Sequence, residues 1–262
     1  WINVVATPEF GFTVSERGGG YTWALNSGEH RLTPWTNDPV LDTPGEAIYL
    51  RDEETAEVWS ATPGPAPADA AYQVRHGAGY TRFLHRSHGL EQELVLFASR
   101  GEPVKVLELR VTNLSSRPRR LTATKYAEWV LGRDRGTEGP HLVTSWDPEA
   151  ELLMVENRFS RPSGPPVGFL AADRPVHGWT ADRKEFLGKG GPANPEGLGR
   201  IGLAELAGAG LDPCGALQLH IDLKPAASTT VRFFLGATDA PARAQEIVAG
   251  LREPGAADQR RS

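Results

Sequence analysis

The sequence predicts an all-β chain folded as one antiparallel sandwich of two large sheets. Three observations carry this reading. Apolar and polar residues alternate with a period of two in several segments, as half-buried strands require. Glycine (29) and proline (21) make 50 of 262 residues, well above the roughly 12% of average usage, so turns are frequent. Short strands separated by turn signals recur every ten or so residues, which favours a sandwich over alternating strands and helices.

Taken in order, Ala47 to Arg51 and Val58 to Ser60 read as strands joined by the acidic turn at 52–57. The proline-rich stretch TPGPAPADAA at 62–71 reads as an exposed loop. Leu107, Leu109 and Val111 alternate with Glu108, Arg110 and Thr112, and a polar turn at 113–120 leads to a strand at 121–131, so the two are expected to form a hairpin. Asp147-Pro-Glu-Ala150 places proline where a type I turn favours it, between strands at 142–146 and 152–156. The glycine- and proline-rich stretch 188–199 is expected to be irregular. Leu217, Leu219, Ile221 and Leu223, then Thr229, Val231, Phe233 and Leu235, predict a second hairpin around Pro225-Ala-Ala. One helix is expected at 241–251, where Ala244, Ile247, Val248 and Leu251 share a stripe behind Asp239-Ala-Pro. This divides the chain into a sandwich at 1–238 and, at 239–262, the start of a helical linker with a polar tail.

Composition narrows the function. A formal charge of −5 without a basic cluster argues against nucleic acid as partner. The single cysteine, Cys214, rules out an internal disulfide and any four-cysteine metal site, and fits a reducing, cytoplasmic compartment. No segment approaches the length of a membrane span, so no membrane contact is expected of this stretch, which reads as a fragment of something longer because it starts without Met.

The opening 40 residues are the least ordinary. Tyr21, Trp23 and Trp35 stand beside Arg31 and Asp38. Rings next to charged and amide groups suit a pyranose, which offers a C–H face for stacking and hydroxyls for polar partners. The same residues would also suit a sandwich core with Arg31 paired to Asp38. Gly18-Gly-Gly20 lacks the Lys-Ser/Thr of a phosphate loop. His85 and His88 are expected on opposite strand faces without a third metal ligand, and Arg117, Arg119 and Arg120 read as a solvated turn. Glu128, in the apolar Tyr126-Ala-Glu-Trp129, is either a general acid with a raised pKa or a buried carboxylate satisfied by an arginine or the backbone. No nucleophile elbow, Cys/His pair, dinucleotide fingerprint or carboxylate pair is recognisable, so no catalytic residue, metal or cofactor is assigned.

The string WINVVATPEFGFTVSERGGGYTWALNSGEHRLTPWTNDPV at 1–40 resembles glycoside hydrolase family 94, formerly glycosyltransferase family 36. So do GEAIYLRDEETAEVWS at 45–60, YAEWVLG at 126–132, ADRKEFLG at 181–188 and AGLDPCGALQ at 209–218, and the likeness is strongest to the cyclic β-1,2-glucan synthase and 1,2-β-oligoglucan phosphorylase branches. The resemblance implies a galactose-mutarotase-like super-sandwich followed by linker helices and an (α/α)6 barrel. It implies inverting phosphorolysis in the parent enzyme, with inorganic phosphate as co-substrate and one Asp of the barrel as the acid. The stretch in hand would then be non-catalytic, with a β-glucan oligosaccharide and the barrel as partners, in a homodimer, and with a parent either cytoplasmic or anchored in the bacterial inner membrane. It further implies that the loop at 132–141 (GRDRGTEGPH), expected to be exposed and mobile, lends Arg133, Arg135 and His141 to a neighbouring active site. Here the loop departs from cellobiose-type relatives, which carry a Gln-Arg pair, and a purely solvated loop stays open. Two further readings are a stand-alone carbohydrate-binding module using Trp23, Trp35 or Trp59, and a structural dimerisation sandwich.

Overall fold

The computed structural model describes residues 1–38, 40–159, 165–253 and 255–256. In chain order the strands begin with β1 (Ile2–Ala6), β2 (Phe10–Ser15), β3 (Thr22–Ala24), β4 (Glu46–Asp52), β5 (Val58–Ser60) and β6 (Tyr72–Gly77). There follow β7 (Tyr80–Ser87), β8 (Leu90–Ala98), β9 (Val104–Asn113), β10 (Arg119–Glu128) and the short helix α1 (Arg135–Glu138). After β11 (Leu142–Asp147), β12 (Leu152–Asn157), β13 (Val167–Ala172) and β14 (Gly178–Asp182) comes α2 (Arg183–Leu187). The chain then runs through β15 (Pro213–Leu223), β16 (Ser228–Thr238) and α3 (Pro241–Arg252). The polar tail past residue 256 lies outside the described residues.

An eight-stranded sheet ordered β11-β12-β13-β16-β9-β8-β7-β6 faces a five-stranded sheet ordered β14-β15-β10-β4-β5, and β1-β2-β3 form a small third sheet. All-β antiparallel architecture is therefore what the alternation and turn density predicted. Both expected hairpins are corrected, however. β9 pairs with β8 and β16 while β10 pairs with β4 and β15, and β15 and β16 likewise belong to opposite sheets. The turns at 113–120 and 224–227 are arches across the sandwich. Alternation reports only that one face is buried, and Leu219 on one sheet and Val231 on the other meet that condition from opposite sides of a shared core.

That core runs between the sheets through Phe12, Leu50, Trp59, Leu109, Leu121, Trp129, Leu217 and Phe233. Two smaller clusters cover the outer faces. Ala244, Ile247, Val248 and Leu251 of α3 pack on Val95, Val106, Phe169 and Phe234 of the large sheet, so the predicted stripe is the packed face. On the other side, Phe186 and Leu187 of α2, with Leu198 and Leu203, cover Tyr49, Tyr126 and Cys214. The stretch at 188–199 is thus a lid on the five-stranded sheet, with one 3-10 turn at Glu196–Gly199.

Three local readings change. The strand expected to reach residue 131 ends at Glu128. The 62–71 loop buries Thr62 and Ala68 rather than standing clear of the surface. Arg119 is buried against Asp52 and the His88 carbonyl, so the arginine-rich turn is only partly solvated.

Candidate carbohydrate-binding surface

Tyr21, just before β3, is buried, and Trp35 stacks on it with ring centroids 4.8 Å apart and 13° between planes. Trp35 keeps 38% of its surface exposed, against 1% for Trp59. Trp59 donates its indole N–H to Gln92 at 2.6 Å and stacks on His88, which removes it as a binding platform. Trp23 is half-buried beside Tyr21, ring centroids 5.2 Å apart, and lies so close to Gly11 that an added Cβ there would sit 2.4 Å from the indole.

Arg31 joins this aromatic group to the loop at 132–141. Its N–H donates to the Gly132 carbonyl at 2.8 Å and Gly132 returns the bond at 3.1 Å. Its guanidinium lies 5.7 Å from the Tyr21 ring and 5.9 Å from the Trp35 ring, and donates to the carbonyls of Ser27 and Arg133. Asp38 instead accepts the N–H groups of Leu41 and Val40, which hold its carboxyl below the usual range. Trp35 and Asp38 share a cavity of about 190 Å³ with Ser15, Asn37, Asp42 and Thr43. Ser15 and Asp42 were not singled out from the sequence. Asp42, with a φ of 42°, accepts the Ser15 hydroxyl, and the only advance sign was the turn-rich string around it.

The loop residues separate. Arg133 is exposed and paired with Glu29 at 3.1 Å. His141 stacks on Phe159 at 4.7 Å. Arg135 turns inward, and the expectation of a wholly exposed loop is corrected there. It donates to Glu128 Oε2 at 2.9 Å and to Asp212, while Arg183 donates to Glu128 Oε1 at 3.0 Å and to Asp212 at 3.4 Å. Tyr126 adds a phenol hydrogen bond to Glu128 at 2.9 Å, and burial, then that carboxylate, push its phenol pKa well up. Asp134 caps α1 through the Thr137 N–H, and the buried Glu138 accepts from Asn157. Two guanidiniums and a phenol satisfy Glu128, so the arginine alternative holds. A groove of about 440 Å³ lies against Arg135, Lys184 and Asp212.

The remaining motifs resolve as structure. His88 lies in the turn after β7 with a φ of 54° and meets Glu57 at 3.0 Å. Cys214 is buried, and burial pushes its thiol well up, away from the thiolate that a nucleophile needs. Gly20 approaches the Thr13 carbonyl so closely that an added Cβ would lie 2.2 Å from it, which explains a glycine at that turn. Among the described residues no group of three or more His, Cys, Asp or Glu is placed to hold a metal.

Residues 1–254 match the family described as "Glycosyl hydrolase 94, supersandwich domain". The chain belongs to glycosyl hydrolase family 94. Its supersandwich is 39% identical over 259 residues to the cyclic beta-(1,2)-glucan synthase NdvB of Rhizobium meliloti (strain 1021), covering 96% of this chain and 9% of that protein. It is 27% identical to the N,N'-diacetylchitobiose phosphorylase of Vibrio furnissii, covering 90% of this chain and 30% of the relative. The chain therefore spans a minor part of the length of both. Among solved structures, a bacterial glucoamylase complexed with acarbose superposes with a TM-score of 0.57 at 11% identity, over 94% of this chain and 34% of that one. At that identity the likeness is one of fold. Among the described residues no helix is long and apolar enough to cross a membrane.

Proposed function

We propose that this supersandwich is the non-catalytic part of an enzyme acting on β-1,2-glucan, supporting a following (α/α)6 barrel and lending loops to carbohydrate binding. The observation that carries the proposal is the way Arg31 stitches the Tyr21–Trp35 stack to the loop at 132–141, which puts an exposed ring and exposed polar groups on one continuous support. The Arg135–Glu128 contact holds the loop's shape, and Arg133 and His141 remain at the surface to reach a sugar across a subunit boundary. The 39% identity to a cyclic glucan synthase favours β-1,2-glucan over other glycans as the parent's substrate. In this reading the barrel supplies the acid and inorganic phosphate is the co-substrate. The parent then works in the cytoplasm, free or tethered to the inner membrane, as a homodimer. Incubation of the chain with linear β-1,2-gluco-oligosaccharides and phosphate is expected to release no glucose 1-phosphate. Release at an enzymic rate would overturn the assignment.

A further inference from the structure

The cavity beneath Trp35 does not end at its own walls. A second hollow of about 250 Å³ shares Gly19, Asp42 and Thr43 with it and continues past Pro65 and Pro192 to Arg17. The common wall depends on Gly19, where an added Cβ would lie 2.3 Å from Asp42 Oδ1. Together the two adjoining hollows make a groove lined by Trp35 in the first and by Arg17 in the second.

From this groove we propose a second glycan-binding subsite, for two consecutive neutral hexose units, separate from the loop at 132–141. Tyr21 stacks on the Trp35 indole, which keeps 38% of its surface exposed and lines the first hollow, where it can meet the C–H face of a pyranose. Asp38 and Asp42 carry acceptor oxygens, and Asn37, Thr36 and Thr43 add short polar groups, so the walls match a ligand rich in hydroxyl donors. The first hollow holds no cationic side chain and two carboxylates, which selects against phosphate, nucleotides and acidic sugars. Its volume of about 190 Å³ is on the scale of one hexose ring, and the adjoining hollow takes the next unit along the chain. Apolar Ile2 lines the first hollow and Leu41 the second, which completes the amphipathic lining that sugars favour.

The choice of glycan rests on the function proposed above, whereas the preference for a neutral hexose rests on the walls of the first hollow. The test is calorimetric titration of the chain with linear β-1,2-gluco-oligosaccharides of defined length, with cello-oligosaccharides and inorganic phosphate as further probes. Binding of the glucan is expected, with affinity lowered about tenfold or more by Trp35→Ala, which removes the stacking surface. Asp42→Asn is expected to weaken binding similarly while preserving the fold, since Asn tolerates the positive φ found there. Arg86→Ala, at an exposed guanidinium of β7 outside the lining of both hollows, is expected to leave the affinity unchanged. Equal affinity for cello-oligosaccharides supports the subsite while removing the assignment to β-1,2-glucan. Three results would overturn the subsite: no binding of any neutral oligosaccharide at millimolar concentration, tighter binding of phosphate than of glucan, or undiminished binding in both Trp35→Ala and Asp42→Asn. The last would leave the loop reading intact.

Discussion

Arg135 and Glu128 meet at 2.9 Å across the base of the loop at 132–141, and both are mostly shielded from water. This contact, backed by Asp212 and Arg183, turns a polar, glycine-bearing segment into a held one. Arg135→Ala is expected to lower unfolding free energy by about 1–3 kcal/mol, because Glu128 and Asp212 lose a charged partner in a poorly solvated place. Arg133→Ala, at a guanidinium 62% exposed, is expected to stay within about 0.5 kcal/mol. Urea unfolding of the two variants side by side measures the difference. Equal stability would return Arg135 to the solvent.

What could be read in advance divides along the same physical line. The stripe of Ala244, Ile247, Val248 and Leu251 announced α3 and its buried face, since a 3.6-residue period has one geometric meaning. A period of two does not say which sheet a strand joins, so β9 to β10 and β15 to β16 read as hairpins although each pair crosses the sandwich. Trp35 and Asp38 could be singled out because aromatic and carboxylate residues lie close in sequence. Asp42 with Ser15, and Arg135 with Asp212, are meetings across 27 and 77 residues that only the closed fold brings about.

Asn113 marks the point where both arches cross. Its amide donates to the carbonyls of Arg117 at 2.7 Å, Leu223 at 3.4 Å and Lys224 at 3.1 Å, and its backbone N–H donates to Ala227 at 2.9 Å. The residue is fully buried. Asn113→Ala would leave carbonyls on both arches without a donor, which typically costs about 1–3 kcal/mol. Asn113→Asp is expected to be worse, because it replaces the donating amide with a carboxylate facing the same oxygens. Chemical denaturation of the two variants checks the ranking, and a milder effect for Asp than for Ala would refute it.

Glu46 on β4 accepts from Lys105 at 3.1 Å and from Lys125 at 2.9 Å through one carboxylate oxygen, and from Thr22 and Thr33 through the other. All three charged groups are buried. Glu46→Gln would strand two ammonium groups, an error of the kind that costs about 3–5 kcal/mol. Burial lowers Lys125 to about 8, with Glu46 opposing the shift and Lys105 adding to it. Between about 8 and the ordinary lysine value the unfolded chain therefore holds a proton that the folded chain has released, and this group's contribution to stability rises with pH. Lys125→Met is expected to remove that rise in unfolding free energy measured from pH 8 to pH 10, with the Lys105–Glu46 pair kept. A slope identical to that of the parent chain would assign the titration elsewhere.

His85 provides the acid-side counterpart. It lies in β7 between Tyr72 of β6 and Gln92 of β8, with the Tyr72 ring 4.1 Å away, and neither ring nitrogen has a hydrogen-bond partner among the described residues. Burial first, and His88 second, hold it down to about 4. From pH 6.5 to about 4 the unfolded chain takes up a proton that folded His85 refuses, so stability falls as pH falls through this window. The loss from this one group is expected to reach roughly 1–3 kcal/mol near pH 4. Burial also lowers the pKa values of His30 and His177, so the informative quantity is the difference between the parent chain and His85→Phe, which keeps a ring of similar size against Tyr72. That variant is expected to unfold less steeply with acid between pH 6.5 and 4, as followed by thermal melts at fixed ionic strength. Superimposable acid profiles for the two proteins would show that His85 is protonated in the folded state and that the strand opens enough to hydrate it.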